Sequence, residues 1–202
     1  MSKPATQSAE RTALVYDDDG LGRPPWAMSS PMLKEYYDTE WGLPIFDEAA
    51  LYERLSLESF QSGLSWAVVL KKREAFRAAF CDFDPEKVAH FTEADVERLL
   101  GDASIIRNET KIRAAITNAK ATIALREEGG LAEFIWSFQP PENLYPTAME
   151  DIPKKSYESK LMSRELKKKG FRFVGPVTCF ALMEAIGMID THLIGSHRRG
   201  TS

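Results

Sequence analysis

Leu166-Lys167-Lys168-Lys169-Gly170-Phe171-Arg172-Phe173-Val174-Gly175-Pro176 decides the fold. Three lysines run into Gly170 as they do at a helix C-terminus, and Gly170 supplies the stop. Pro176 stands where a following helix would begin, because its missing N–H costs nothing at the first helical position. The stretch is therefore a six-residue hairpin between two helices, predicted at Tyr157–Lys169 and Pro176–Ile186. Backbone N–H groups bunched at the start of the second helix attract an anion, with phosphate the usual one. The alternative is a plain helical hairpin packed on Phe171, Phe173 and Val174.

Outward from the hairpin, other segments also repeat at helical spacing. Asp47 can cap a helix carrying Leu51, Tyr52, Leu55 and Glu58 on one side. Ser65 can open another, with Trp66, Val69, Phe76 and Phe80 repeating up to the Asp82-Phe83-Asp84-Pro85 break. Thr92 and Asp95 resemble a capping box before Val96 and Leu99. Thr110 starts a helix through Ile112, Ile116, Ala119 and Ile123, with Gly129-Gly130 as its stop, and Pro140 to Pro153 reads as a long loop. No stretch alternates like a strand and no repeat is visible. The fold expected is all-α without a substantial sheet: a tail over residues 1–22, disordered to about Ala13, then one domain over 23–199 with the hairpin unit at about 157–186.

Leu57-Glu58-Ser59-Phe60-Gln61-Ser62-Gly63-Leu64-Ser65-Trp66 is the second informative stretch. Glu58 lies seven residues after Leu51 and so points to the same apolar side. A carboxylate drawn out of water needs a partner, and a cationic one is expected. Gly63 breaks the helix, leaving Leu64 bare at the break and Trp66 as an aromatic plate. An inward acid, a wedge and a plate outline a small binding pocket. A Glu satisfied by a neighbouring Arg, a loop Leu and a core Trp is the plainer reading.

Composition narrows the class. The 202 residues are 44% hydrophobic and 28% charged, with net charge -4, as in an ordinary soluble protein. No apolar run approaches a membrane span and no leader is visible, so the cytoplasm is expected. Cys81 and Cys179 read as small buried thiols, and three histidines with two cysteines exclude an iron–sulfur site. Between Lys160 and Arg199, eight Lys/Arg face three acids, a local basic face suited to a polyanion. Met188-Ile189-Asp190-Thr191-His192-Leu193 follows the hairpin. Asp190 there either caps a further helix or holds a carboxylate near bound backbone.

The hairpin followed by hydrophobic-Asp-Thr-His resembles the helix-hairpin-helix superfamily of DNA base-excision glycosylases, and within it the 3-methyladenine DNA glycosylase I family. The likeness runs from about Trp26 to Arg199. It rests on Tyr36-Tyr37-Asp38-Thr39-Glu40-Trp41-Gly42, Gln61 to Trp66 with Val69 to Glu74, Ile105-Ile106-Arg107-Asn108 with Lys111-Ile112, Phe134 to Phe138, and Leu166 to Gly175. The resemblance implies that a damaged purine is flipped from double-stranded DNA into a pocket and its N-glycosidic bond hydrolysed. It makes Glu58 the base-recognising carboxylate and Tyr36 and Trp66 the stacking aromatics, with Leu33 where the family carries an aromatic in the pocket wall. It makes Leu64, between Gly63 and Ser65, the wedge that fills the emptied stack. Phe173, Val174 and Gly175 hold phosphates, with Lys169, Gly170 and Arg172 beside them. Asp190 takes the superfamily's catalytic aspartate position. This branch is thought to manage without a strong acid or base there, so sugar stabilisation and helix capping both stand. No lysine occupies Pro176, Val177 or Thr178, so no lyase step is expected.

The family's structural zinc would fall on Pro24, Tyr37, His192 and Ser196, one usable ligand in four. No metal and no cofactor are expected. Trp26 and Tyr37 packed on the last helix, and His192 hydrogen-bonded to Tyr37 or backbone, would close the ends instead. The expected partner is alkylated duplex DNA, bound by a monomer in the cytoplasm, at the nucleoid of a prokaryote. Two rivals are a glycosylase for other alkylated purines, because of Leu33, and a protein that binds lesions without excising them.

Overall fold

A computed structural model describes residues 13–201. The disorder expected before Ala13 lies outside the described residues. From Val15 the tail forms a small hairpin, β1 (Val15–Tyr16) against β2 (Gly22–Arg23), antiparallel. Buried Arg23 fastens it: its guanidinium donates to Asp19 and, from Nε at 2.8 Å, to Asp38 on the first helix. The chain is thus tied to the body before Trp26.

The remaining described elements are helical. α1 (Pro31–Thr39) starts with Pro31 behind the Ser30 cap. α2 (Glu48–Gln61) is capped by Asp47, which accepts from Ala50 N–H at 2.9 Å. Its Leu51, Tyr52, Leu55, Leu57 and Phe60 are buried, as their spacing requires. The expected helix after Ser65 is two, α3 (Trp66–Lys71) and α4 (Arg73–Ala79), hinged at Lys72, and the Ser65 side chain makes no capping bond. A short α5 (Pro85–Ala89) follows the Asp82–Pro85 break, and α6 (Glu93–Gly101) carries the Thr92–Asp95 capping box. α7 (Glu109–Leu125) starts just before Thr110 because Asn108 caps it, accepting from Lys111 N–H at 3.1 Å. α8 (Gly130–Trp136) was hidden in the sequence behind the two glycines. α9 (Tyr157–Lys168) and α10 (Pro176–Ala185) flank the hairpin within a residue of their expected ends.

α2 is the axis of the molecule, packed against α7, α8, α10 and α3. One apolar core joins these helices, and a smaller cluster of Leu33, Tyr36 and Leu70 gathers Trp26, Trp41 and Trp66 beside it. The turn after α1 and the turn after α10 meet backbone to backbone. Gly42 N–H donates to Ala185 C=O at 3.1 Å. A Cβ on Gly187 (φ +67°) would stand 2.5 Å from Gly42 O, and one on Gly42 (φ +80°) 2.5 Å from His192 Cε1. Only glycine permits that approach at both positions. No helix among the described residues is long and apolar enough to cross a membrane.

Candidate active site

A cavity of about 340 Å³ opens where α1, α2, α3 and α10 converge. Its walls are Tyr36, Tyr37, Trp26, Trp41 and Trp66, with Glu58 and Gln61 from α2 and Glu184 from α10. Met149, Ile152, Pro153 and Lys154, with Thr191 to Leu193, complete the lining. Glu58 is 6% exposed, and its carboxyl accepts no hydrogen bond from any described residue. Burial pushes its pKa up to about 7, with the Arg54 cation pulling the other way. The cation foreseen opposite Glu58 is Arg54, one turn earlier, yet its hydrogen bonds go elsewhere. Arg54 donates to the Tyr36 hydroxyl and to Glu40, and Arg73 holds Glu40 at 2.6 and 2.7 Å. Burial would raise the Glu40 pKa, but the two arginines outweigh it and hold it low. The guanidinium of Arg54 lies 5.3 Å from the Tyr36 ring and 5.7 Å from the Trp66 ring. It fixes both plates from behind, leaving the carboxyl of Glu58 for whatever enters.

Tyr36 and Trp66 approach at 5.5 Å between centroids, inclined by 39°, so they form a corner and not a parallel sandwich. Leu33 does not line the cavity. It is buried in a cluster with Tyr36 and Leu70. Trp66 Nε1 is buried without a partner among the described residues.

Between Gln61 and Trp66, both at the cavity, the turn Ser62 to Ser65 stands exposed, with Leu64 42% accessible. Lys111 holds this turn, its buried ammonium donating to Phe60 C=O at 2.8 Å and Ser62 C=O at 2.6 Å. The α2 carbonyl end thus gains a cation, so the Leu64 perch is anchored from α7.

The α9–α10 hairpin is held by its carbonyls. Asn118 clamps Arg172 from both sides, accepting from its N–H at 2.7 Å and donating to its C=O at 3.0 Å. Ser59 donates to Phe173 C=O at 3.1 Å and Ser163 to Val174 C=O at 2.6 Å. These bonds keep Phe173 in the left-handed region (φ 54°), where a non-glycine residue costs about 1–2 kcal/mol. The N–H groups of Phe173, Val174 and Gly175 have no partner among the described residues, and they sit at the N-terminus of α10. Arg172 shares a shallow depression with Thr110, Arg113, Thr117 and Phe173. Lys169 is engaged with Glu128 and does not project freely.

Asp190 lies outside the cavity, and no helix follows it for it to cap. Its carboxylate accepts from His192 N–H at 3.0 Å, His192 Nδ1–H at 2.7 Å and Gly200 N–H at 2.9 Å, with Arg199 Nε at 3.4 Å. Burial would raise its pKa, but these hydrogen bonds hold it below the usual carboxylate range. It is the knot that folds the last residues back on the domain.

The four positions of the family's metal do not fit zinc. Pro24 offers no donor, and Tyr37 and Ser196 spend their hydroxyls on each other at 2.6 Å. His192 is tied to Asp190 through Nδ1, and its Nε2 is buried without a partner. Among the described residues no group of three His, Cys, Asp or Glu side chains could hold a metal. His192 packs edge-on against Tyr37 and Trp41, at 5.5 and 4.8 Å. Tyr37 or backbone was expected as its hydrogen-bond partner; its ring instead bonds the Asp190 carboxylate.

Sequence reasoning missed Glu184, Gln61, Trp41 and Lys154 in the cavity and Asn118, Ser59 and Ser163 behind the hairpin. Polar residues on apolar helix faces were the available signal for the last three. Cys81, expected buried, is partly exposed, whereas Cys179 is buried.

Residues 26–199 match the model of the methyladenine glycosylase family. The chain is 44% identical over 173 residues to DNA-3-methyladenine glycosylase 1 of Escherichia coli (strain K12), covering 84% of this chain and 92% of that protein. It is 42% identical over 175 residues to the DNA-3-methyladenine glycosylase of Haemophilus influenzae, covering 85% and 94%. A solved structure of a tyrosine-to-phenylalanine variant of 3-methyladenine DNA glycosylase I, in complex with 3-methyladenine, superposes with a TM-score of 0.81. It is 36% identical, covering 85% of this chain and 94% of that one. On this likeness of sequence and fold, the chain belongs to the methyladenine glycosylase family.

Proposed function

We propose that this protein excises 3-methyladenine from alkylated double-stranded DNA by hydrolysing the N-glycosidic bond. The observation that carries this reading is Glu58, a buried carboxyl without a hydrogen-bond donor, facing a cavity walled by aromatic rings. An N3-alkylated adenine in DNA is cationic and carries N–H donors. Glu58 accepts from them, and the electron-rich faces of Tyr36, Trp66 and Trp41 favour the charge, by about 2 kcal/mol for a desolvated cation–ring contact. Normal adenine offers the same amino N–H but lacks the charge, so it gains neither the cation–ring attraction nor the charge-assisted part of the hydrogen bond.

The hairpin N–H groups hold the phosphate backbone, Arg172 adds charge, and Leu64 enters the stack that the flipped nucleotide leaves. As the bond from C1′ to the base breaks, its electron pair neutralises the cationic ring, which departs as a neutral base. Water oxygen bonds to C1′ and its proton goes to solvent. The leaving group needs no protonation, so orientation and charge complementarity supply the catalysis. Asp190 acts in this scheme through the fold alone. With no lysine at the start of α10, the abasic strand is left intact. One copy of the chain suffices, acting in the cytoplasm where the genome lies.

Chromatographic release of methylated bases from alkylated DNA tests the reading. 3-Methyladenine is expected to dominate the released bases. A protein that binds an abasic-analogue duplex but liberates no base would be a lesion-binding protein.

A further inference from the structure

Glu58 is not the only acid in the cavity. Glu184, on α10, lines the same space. Thr191 Oγ donates to its Oε1 at 2.8 Å, and Oε2 has no partner among the described residues. No described cation forms an ion pair with either carboxyl. Two such groups lining one aromatic cavity repel, which favours a single ionised carboxyl at near-neutral pH. The titratable and charged groups around them are Tyr36 and Tyr37 from α1, Arg54 behind Glu58 on α2, Lys154 from the loop before α9, and His192 beyond Thr191. Arg54 lies nearer Glu58 and favours its ionised form, leaving the proton on Glu184. Burial and the Glu58 charge push in the same direction, raising Glu184 to about 8 against about 7 for Glu58.

An ionised acid accepts and a neutral acid donates, so the pair offers one acceptor and one donor in a single pocket. An adenine-type edge carries an amino donor beside a ring-nitrogen acceptor; a guanine-type edge presents a carbonyl acceptor beside an N–H donor. We propose that Glu184 is a specificity-determining residue, its carboxylic acid O–H donating to a ring nitrogen of the flipped base while Glu58 accepts from the amino group. This rests on the base-excision reading above and adds to it the discrimination between adenine and guanine lesions.

The test compares wild type, Glu184→Gln and Glu184→Leu in releasing 3-methyladenine and 3-methylguanine from alkylated DNA between pH 6 and 9. Glutamine keeps a donor without a titrating proton. Its kcat/KM for 3-methyladenine at pH 7 is expected to lie below wild type but at least threefold above Glu184→Leu, and to lack the wild type's fall above pH 8. Leucine keeps the volume alone and is expected to lose tenfold or more on 3-methyladenine while 3-methylguanine release changes less. Thermal melting separates loss of fold from loss of recognition, and fluorescence titration with free 3-methyladenine reads the pocket of the folded fraction. If folded Glu184→Leu keeps wild-type rates and pH profile, Glu184 does not read the base and the proposal falls. If wild type itself releases no methylated purine, the underlying reading fails instead.

Discussion

Glu58→Gln separates a recognising acid from a structural one, because the two roles move stability and activity differently. Glu58 has its pKa raised from 4.5 to about 7. The folded protein therefore holds a proton there that the unfolded chain has released, and between these values stability falls as pH rises. Below pH 4.5 the group costs nothing; above 7 the full cost of about 3 kcal/mol applies, at 1.36 kcal/mol per pH unit. Glutamine carries no such cost. The variant is expected to match wild type near pH 4.5 and to melt about 6–12 °C higher at pH 8, using about 2–4 °C per kcal/mol for a chain of this size. On substrate the sign reverses. A charge-assisted hydrogen bond of about 1.5–3 kcal/mol is lost, so kcat/KM for 3-methyladenine release drops about 10- to 150-fold. Melting by calorimetry across pH 4.5–8 and base release by chromatography read both arms. A variant that is less stable at pH 8, or as active as wild type, would refute the account of Glu58 as an unpartnered, base-facing acid.

Asp190→Asn is expected to lower stability by about 2–4 kcal/mol through its contacts to His192, Gly200 and Arg199, with kcat of the folded fraction within threefold of wild type. Because Asp190 titrates below its usual 3.8, that difference is present above pH 3.8 and fades as pH falls through the lowered value, which denaturation curves at pH 7 and pH 3 check. Leu64→Ala removes an exposed side chain, so stability should change by less than about 0.5 kcal/mol. Its excision from duplex DNA should fall while fluorescence-detected binding of free 3-methyladenine is unchanged. Prolonged dialysis against a chelator should leave the melting temperature where it was, since Tyr37 and Ser196 close on each other without a metal.

Much of the fold was legible because punctuation and period agreed. Asp47, Gly170 and Pro176 each mark a helix boundary, and α2, α9 and α10 end within a residue of where those marks put them. α8 was lost because Gly129-Gly130 reads as a terminator, whereas Gly130 opens the next helix. The continuous helix expected after Ser65 breaks at Lys72, where tertiary packing overrides a pattern that fits both halves. In the cavity, Glu58 and Trp66 were visible since both sit in one short stretch. Glu184 was not, because an acid in the apolar α10 carries no mark of which neighbour it meets; α10 brings it to α2 across a long interval of chain. Asp190 was read two ways, as a catalytic carboxylate or a helix cap, and its actual partners were not legible. Its motif suits a catalytic group, but a turn held by Gly200 and His192 directs the carboxylate inward, away from the cavity.

The contact between the Gly42 and Gly187 turns has an effect on the far side of the reaction. It welds the wall bearing Tyr36 and Trp41 to the wall bearing Glu184, so the chamber is shaped before any nucleotide arrives. Little ordering entropy is left to be lost on entry, and a detached purine meets the same fitted surfaces as the attached one. Added free 3-methyladenine should therefore compete with damaged DNA, though more weakly than the cationic base still in the strand.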